Sequence, residues 1–571
     1  MNISNPSDSK ANESESVDTI DHEDQAVKNM ITGGTTLIIT GMIVGLFGWL
    51  TTIFVSRPDI GIGASGYAIL GTANSMIIIL GAISGGINQS ISKFIAEKLV
   101  DSKDSALEYA KGSSLATNLF GLGMFIIFSL MSLIFYLNMS ETYALIFLFV
   151  GISLFMVFFR DNLIGNLAGL QKFKTIGIIN LVSIIGGVSM ALSIYYIPYP
   201  YNRITFLAQV FTLPLSQIIA ALIYGHKLFP YGVLNIYKLP KSFEIPKRIS
   251  SYGLYCTIPQ LILSGSIFWI QTMYYQMFFG PNDPVVGISA IVIGYAAVAG
   301  AISFYGWPQI PAVAEAKAMK NQTLIDKLVS QCYKTGFNVS ITLLVFYVGL
   351  AHPILELFHT AEYLPGYVPF ILLSFATTFI GLVFLIASMM IGLGLAKKAF
   401  IYIFILIITA FIITPLLIIL FTGLGNKYLV LLAGPLGLMI PTLIILPLMF
   451  KYLPKYTNKT SKFYLMILIK GFLSVAAANI TSYIIENYVY PYNTFWNGIP
   501  TGFLLGIVVN LSIFILLMCF LSALDDQDWE LFNSMLGPLK FMTIIPRWIS
   551  KNSPFYKKRE DYNKENAENK K

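Results

Sequence analysis

"GYAILGTANSMIIILGAISGGI" (Gly66–Ile87), "NQSISKFIAEKLVDSKDSALEYAKGS" (Asn88–Ser113) and "SLATNLFGLGMFIIFSLMSLIFYL" (Ser114–Leu137) follow one another along the chain. The outer two carry no acidic or basic residue. Each is long enough for a helix to cross bilayer hydrocarbon, which takes about 20 residues. The middle stretch is densely charged from Lys93 to Lys111. Apolar run, charged turn, apolar run is the grammar of a polytopic membrane protein, and it recurs along the sequence. Fourteen runs read as spans: 34–55, 66–87, 114–137, 143–159, 176–197, 205–224, 252–279, 285–304, 337–353, 368–393, 399–421, 428–450, 463–485 and 502–524. Over 571 residues the chain is 56 % apolar and 12 % charged. Soluble domains carry about 25 % charged residues, so most of this surface is not made for water.

The net charge of +8 invites a nucleic-acid reading, which its placement excludes. When the fourteen runs are threaded with both tails on one side, that side collects 33 of the 37 Lys and Arg. Arg57, Arg203 and Lys427 fall opposite, and Lys470 falls inside a run. Basic residues stay on the cytoplasmic side, which predicts two cytoplasmic termini in a multi-pass protein of the cell membrane. Anionic lipids are the second partner of this charge. The acidic stretch Met1–Lys28 lacks the layout of a cleavable signal and reads as a disordered tail. Cys256, Cys332 and Cys519, with Cys332 expected in a cytoplasmic loop, suggest neither a disulfide framework nor a metal site.

A repeat organises the spans. "AEKLVDSKDSALEYA" begins at Ala96 and "AEAKAMKNQTLIDKL" at Ala314, six helices later. "GLQKF" at Gly169 is echoed by "GLAKKAF" at Gly394, each in the turn after the fourth helix of its half. An even number of helices per repeat gives both halves the same orientation. The expected fold class is an all-α integral membrane protein of about 14 helices, with two pseudo-symmetric six-helix bundles and a C-terminal pair. The expected divisions are a tail over 1–30, bundles over 31–228 and 251–452 joined by a linker over 229–250, and helices thirteen and fourteen over 453–524. An interfacial segment and basic tail follow over 525–571. A second interfacial helix is expected over Trp307–Tyr333, with Ala312, Ala316, Leu324, Ile325 and Leu328 on its softer face.

Catalytic signatures are missing from the sequence. There is no phosphate-cradling glycine loop and no His-Glu-x-x-His helix, and no cofactor is implied. His352 and His359 lie about two helical turns apart, too far for one metal ion. The outer loops are short and lack the paired acids a membrane-embedded glycosyl polymerase or ligase would use. What remains are isolated ionisable and amide groups in or beside spans, which are expensive in lipid. Arg57 ends the first run, Arg160 and Asp161 close the fourth, and Lys470 lies about seven residues into the thirteenth. Asn74, Asn180, Gln217, Gln260 and Gln271 are amides within runs. As structural groups, Arg160–Asp161 would compensate a helix end, Lys470 would snorkel, and the amides would bond between helices. As functional groups, Arg57, Asn74, Arg160, Asp161, Gln260, Gln271 and Lys470 would line a substrate cavity.

The stretch "VSRPDIGIGASGYAILGTANSMIIILGAISGGINQSISKFIAE" resembles the first two helices of Wzx-like polysaccharide-biosynthesis flippases, members of the MOP superfamily that also holds the MATE exporters. An Arg ending helix one, a Gly-Tyr start to helix two and a following Ala-Glu correspond here to Arg57, Gly66-Tyr67 and Ala96-Glu97. "LIGNLAGLQKFKTIGIINL", "PKRISSYGLYCTIPQLILSGSIFWI" and "PILELFHTAEYLPGYVPFILLS" resemble later family segments in the same order. The family often has an Asp near the end of helix seven, where this chain has Gln271. The resemblance implies two bundles around a cavity open alternately to each side. It also implies a polyprenyl- or dolichyl-linked oligosaccharide as substrate and glycan-assembly proteins as possible partners. It leaves the coupling ion open between H+ and Na+. A MATE-type exporter of cationic compounds is the alternative, and it would need cavity carboxylates.

Overall fold

A computed structural model describes residues 26–44, 47, 63–138, 141–182, 184, 214–223, 233–263, 266–279, 283–296, 303–358, 361–426, 428–488, 501–521 and 544–553. Among the described residues there is helix and no strand, and helix lies within every one of the fourteen predicted runs. The helices are α1 Ala26–Val44, α2 Gly63–Asp101, α3 Lys103–Leu137, α4 Glu141–Gly169, α5 Phe173–Val182 and α6 Pro214–Ile223. Then come α7 Glu244–Leu263, α8 Ser266–Phe279, α9 Pro284–Ala296, α10 Ser303–Ala318, α11 Gln322–Phe358 and α12 Tyr367–Gly392. The chain continues with α13 Ala396–Gly423, α14 Ala433–Phe450, α15 Tyr452–Tyr456, α16 Ser461–Tyr488, α17 Thr501–Phe520 and α18 Ile544–Asn552. Eight of the described helices are long and apolar enough to cross a bilayer.

The division of α3 into two faces shows what the apolar residues do. Leu119, Leu122, Ile126, Leu130, Leu133 and Leu137 are exposed at spacings of three or four, one stripe of the helix. Such a surface is at rest only against lipid tails. The inward stripe is small: Ala106, Ala110, Ser113, Thr117 and Gly121 are buried. Lipid is as apolar as leucine, so burial alone does not drive this packing. Close contact and interhelical hydrogen bonds do.

Contact density divides the chain into two units. The first holds Met1–Ser266, Phe304–Val329 and Ile386–Phe404, and the second Ile267–Ser303, Ser330–Leu385 and Ile405–Lys571. In the first, α2 packs against α3, α4 and α7. Two glycines set the α2–α7 crossing. A Cβ on Gly86 would sit 2.6 Å from the Gly253 carbonyl oxygen, and one on Gly253 would sit 2.8 Å from Ile87 Cα. Only bare backbone lets the helices meet at that distance.

The turns after α4, α10 and α12 are built alike. Lys172 N–H donates to Leu167 O at 2.9 Å and Gln171 N–H to Ala168 O at 2.9 Å. Asn321 and Lys320 repeat this with Ala316 O and Lys317 O, both at 3.0 Å. Leu395 and Gly394 repeat it with Met390 O at 2.7 Å and Ile391 O at 2.9 Å. Each is a Schellman closure, with its left-handed residue at Gln171, Lys320 and Gly394, φ 56°, 56° and 81°. The geometry equivalent to Gly394 falls on Gln171, two residues after Gly169, so the closures match while their register differs from that of the sequence echo.

Two expectations are corrected. Trp307–Tyr333 is not one surface helix: it is the end of α10 and the start of α11, separated by the turn at Lys320. Its softer face is core, with Ala312, Ala316, Leu324, Ile325 and Leu328 all buried. Cys332 accordingly lies inside α11 and is fully buried, not in a loop. Helix continues past the apolar run because partner helices, not lipid, cover these residues.

Candidate functional site

The interior of the first unit holds polar groups linked from helix to helix. Arg160 Nε and Nη2 donate to Asp161 Oδ1 at 2.8 and 2.7 Å, and Nη1 donates to Gln217 Oε1 at 2.9 Å. Gln217 reaches on to Asn180 Oδ1 at 3.5 Å. Asp161 is 6 % exposed and Gln217 8 %. The pair is therefore more than helix-end compensation, since it is tied into the bundle by a residue 57 positions away. Asn88 Nδ2 donates to Asp161 O at 3.1 Å from α2. The next residue, Gln89, donates from Nε2 to Gln260 Oε1 at 2.6 Å, and the Gln260 side chain lies against Gly85. Ser84 Oγ, Asn88 Oδ1 and Gln89 Oε1 are buried with no hydrogen-bond partner. Unpaired buried acceptors are costly, so this strip of α2 is suited to water or a ligand donor.

On the neighbouring α3–α4 seam a set of amides and hydroxyls pairs with itself. Ser113 Oγ donates to Asn162 Oδ1 at 2.9 Å, and Asn162 Nδ2 donates to Ser114 Oγ at 2.8 Å. Asn166 Nδ2 caps the set on Asn162 O at 2.8 Å. These groups are satisfied by each other and hold the helices together.

The second unit treats its amide differently. Gln271 Nε2 donates to Gly434 O at 2.7 Å, while Gly434 N–H donates to Tyr275 Oη at 2.8 Å. Gln271 is 3 % exposed and secures the start of α14. The two crevices beside it hold about 10 Å³ each, room for at most one water. Lys470 lies half-buried in α16, and its carbonyl accepts from Ser474 Oγ at 2.9 Å. Arg57 lies outside the described residues, and for Asn74 only its place in α2 is described.

A second cluster sits at the end of the first unit where α2 stops and α7 starts. Lys93, only 5 % exposed, forms an ion pair with Glu97. Its Nζ stands 4.0 Å from the Phe94 ring centroid and 5.2 Å from that of Tyr252. Tyr252 Oη donates to Ile391 O at 2.5 Å, and Lys317 Nζ donates to Leu393 O at 2.6 Å. Gln171 Nε2 donates to the Glu315 carboxylate. Just beyond, the Asp101 carboxylate bonded to Lys98 raises the Lys98 pKa above its ordinary value. Sequence reading passed over Lys93, Asn88 and Gln89 as site residues because the apolar run ends at Ile87, while the helix runs on to Asp101. The local signal was a lone lysine among small and apolar residues in "SISKFIA".

Among the described residues no group of His, Cys, Asp and Glu could hold a metal ion. No protein-family model matches the chain, and no curated protein matches it. Solved structures do. An outward-facing multidrug resistance MATE family transporter of the MOP superfamily aligns with TM-score 0.60 and 15 % identity, over 77 % of this chain and 97 % of that one. A MATE in complex with MaD3S aligns with TM-score 0.62 and 16 % identity, over 76 % and 97 %. A MOP superfamily transporter from Pyrococcus furiosus, described as having a binding pocket of reverse polarity that suggests a different function, aligns with TM-score 0.61 and 16 % identity, over 77 % and 97 %. This chain is a multi-pass membrane protein, helical among its described residues, with the fold of the MATE transporters of the MOP superfamily.

Proposed function

We propose that this chain is a flippase that carries a polyprenyl- or dolichyl-linked oligosaccharide from the cytoplasmic to the outer leaflet by alternating access, for surface glycan assembly. One observation carries the reading: the sign of the buried charge. Among the described residues the buried charged side chains are Lys93, Lys334 and Asp161, and Asp161 is already held by Arg160. A lipid-linked sugar has a phosphate or pyrophosphate head and a hydroxyl-rich body. Cations suit the first, and amides such as Asn88, Gln89, Gln217 and Gln260 suit the second. Moving that head through hydrocarbon costs its whole hydration, and a polar path removes the cost. The prenyl tail stays in lipid. The basic end of the molecule faces the cytoplasm in this reading, where glycan-assembly proteins would deliver substrate. The contacts Gln171–Glu315 and Tyr252–Ile391 would close that side.

A MATE-type cation-coupled exporter is the second reading, favoured by the multidrug transporter among the structural neighbours. It would depend on Asp161, the buried carboxylate, giving up its partner. The full chain in liposomes should move a labelled polyprenyl-pyrophosphate sugar between leaflets without altering its mass. Transport of cationic dyes with no movement of the lipid would replace the flippase reading with the exporter.

A further inference from the structure

We propose that Lys93, Arg248 and Lys317 together bind a phosphate-bearing group at the end of the first unit where α2, α7 and α10 meet.

Lys93 supplies the floor. It is buried beneath aromatic walls, and its one carboxylate partner is Glu97, one turn along the same helix. Arg248 and Lys317 supply an exposed rim. The Arg248 guanidinium carbon stands 5.1 Å from the centroid of the same Phe94 ring, and Nη1 donates to Tyr109 Oη at 3.2 Å. Lys317 is secured by the Leu393 carbonyl, which carries no full charge. Arg248 and Lys317 both act on Lys93 as like charges, and Glu97 is the acid that acts against them. Lys93, Arg248 and Lys317 stand against Glu97 and the Gln171-bonded Glu315, which leaves one excess positive charge around a buried ammonium. Such an arrangement is costly unless an anion completes it.

Geometry narrows the anion. The three cations come from three helices, α2, α7 and α10, and two of them share the Phe94 ring. A planar carboxylate carries one charge and presents both oxygens on one side. A tetrahedral phosphoryl group carries more charge and presents oxygens toward all three. The guanidinium fork suits two of those oxygens, and the Phe94 and Tyr252 rings keep water from competing at the floor.

The same chemistry belongs to a lipid-borne pyrophosphate and to free pyrophosphate. Assigning the lipid as the natural ligand rests on the flippase reading, whereas the anion site does not. The test uses the full chain in phosphatidylcholine nanodiscs, titrated calorimetrically with polyprenyl pyrophosphate, polyprenol and inorganic pyrophosphate. Polyprenyl pyrophosphate should bind, inorganic pyrophosphate should compete, and polyprenol should not bind. Lys93→Gln and Arg248→Gln should each weaken binding about tenfold, the worth of one charge-assisted hydrogen bond. Glu97→Gln should tighten it, because the internal competitor for Lys93 is removed. A purely structural Lys93–Glu97 pair predicts no tightening, so that variant separates the two roles even if Lys93→Gln lowers thermal stability. Equal affinity for lipid-borne and inorganic pyrophosphate would assign the site to a free anion. No pyrophosphate binding by the wild-type chain, or unchanged affinity in both the Lys93 and Arg248 variants, would overturn the site. Binding intact with no lipid movement in liposomes would overturn the flippase reading alone.

Discussion

Gln171 holds a left-handed backbone conformation, φ 56°, while its side chain donates to the Glu315 carboxylate. The two residues are 144 positions apart and belong to the two halves of the sequence repeat. Glu315 corresponds in that repeat to Glu97, which bonds instead to Lys93 on its own helix. Matched carboxylates at matched positions thus do different work: one joins the halves within the first unit, the other restrains a buried cation.

Left-handed geometry at a residue with a Cβ costs about 1–2 kcal/mol. Gln171→Gly and Gln171→Ala both lose the bond to Glu315, but only glycine relieves the backbone. Thermal unfolding of the detergent-solubilised chain should rank Gln171→Gly above Gln171→Ala by about 1 kcal/mol. The reverse order would show that the turn does not keep its closure in solution.

The α2–α7 crossing leaves no space for a side chain at Gly253. Gly253→Val places its Cβ against the Ile87 backbone, which cannot move without shifting the helix. A loss of about 1–3 kcal/mol is expected, the usual cost of overpacking. Gly123→Ala on α3 is the control: a Cβ there meets nothing within 4 Å, so stability should not fall and should rise by up to about 1 kcal/mol through helix propensity. Equal effects at the two sites would refute the close approach.

Asn162 is the knot of the α3–α4 seam. Asn162→Ala takes the side-chain partner from the buried Ser114 hydroxyl and leaves Ser113 with its bond to the Ala110 carbonyl. Each lost partner costs about 1–3 kcal/mol, and the melting temperature should fall accordingly. Ser114→Ala, which removes one of these bonds, should cost less.

Charge at Arg160 and Asp161 separates the two transport readings. Asp161→Asn keeps an acceptor for Arg160 but abolishes the carboxylate. A flippase for an anionic head should retain most of its transport in this variant, and a carboxylate-coupled exporter should lose it. Arg160→Ala should impair flipping while surface biotinylation confirms that the protein reaches the membrane. Arg57→Ala is expected to behave likewise, and normal glycan export in that variant would remove Arg57 from the candidates.

Membrane insertion and the helix runs were legible in the sequence. Each is a local property weighed against one uniform partner, the bilayer. A run such as Ser114–Leu137 is apolar whatever it packs against. Which polar group does what was decided only by tertiary structure. Gln271 reads as a cavity amide until Gly434, 163 residues away, is found in its reach. Lys93 reads as a turn cation until α7 closes over it. Hydropathy reports what a residue prefers, whereas burial and pairing depend on partners brought from elsewhere in the chain, and those partners are specified by the packing of helices.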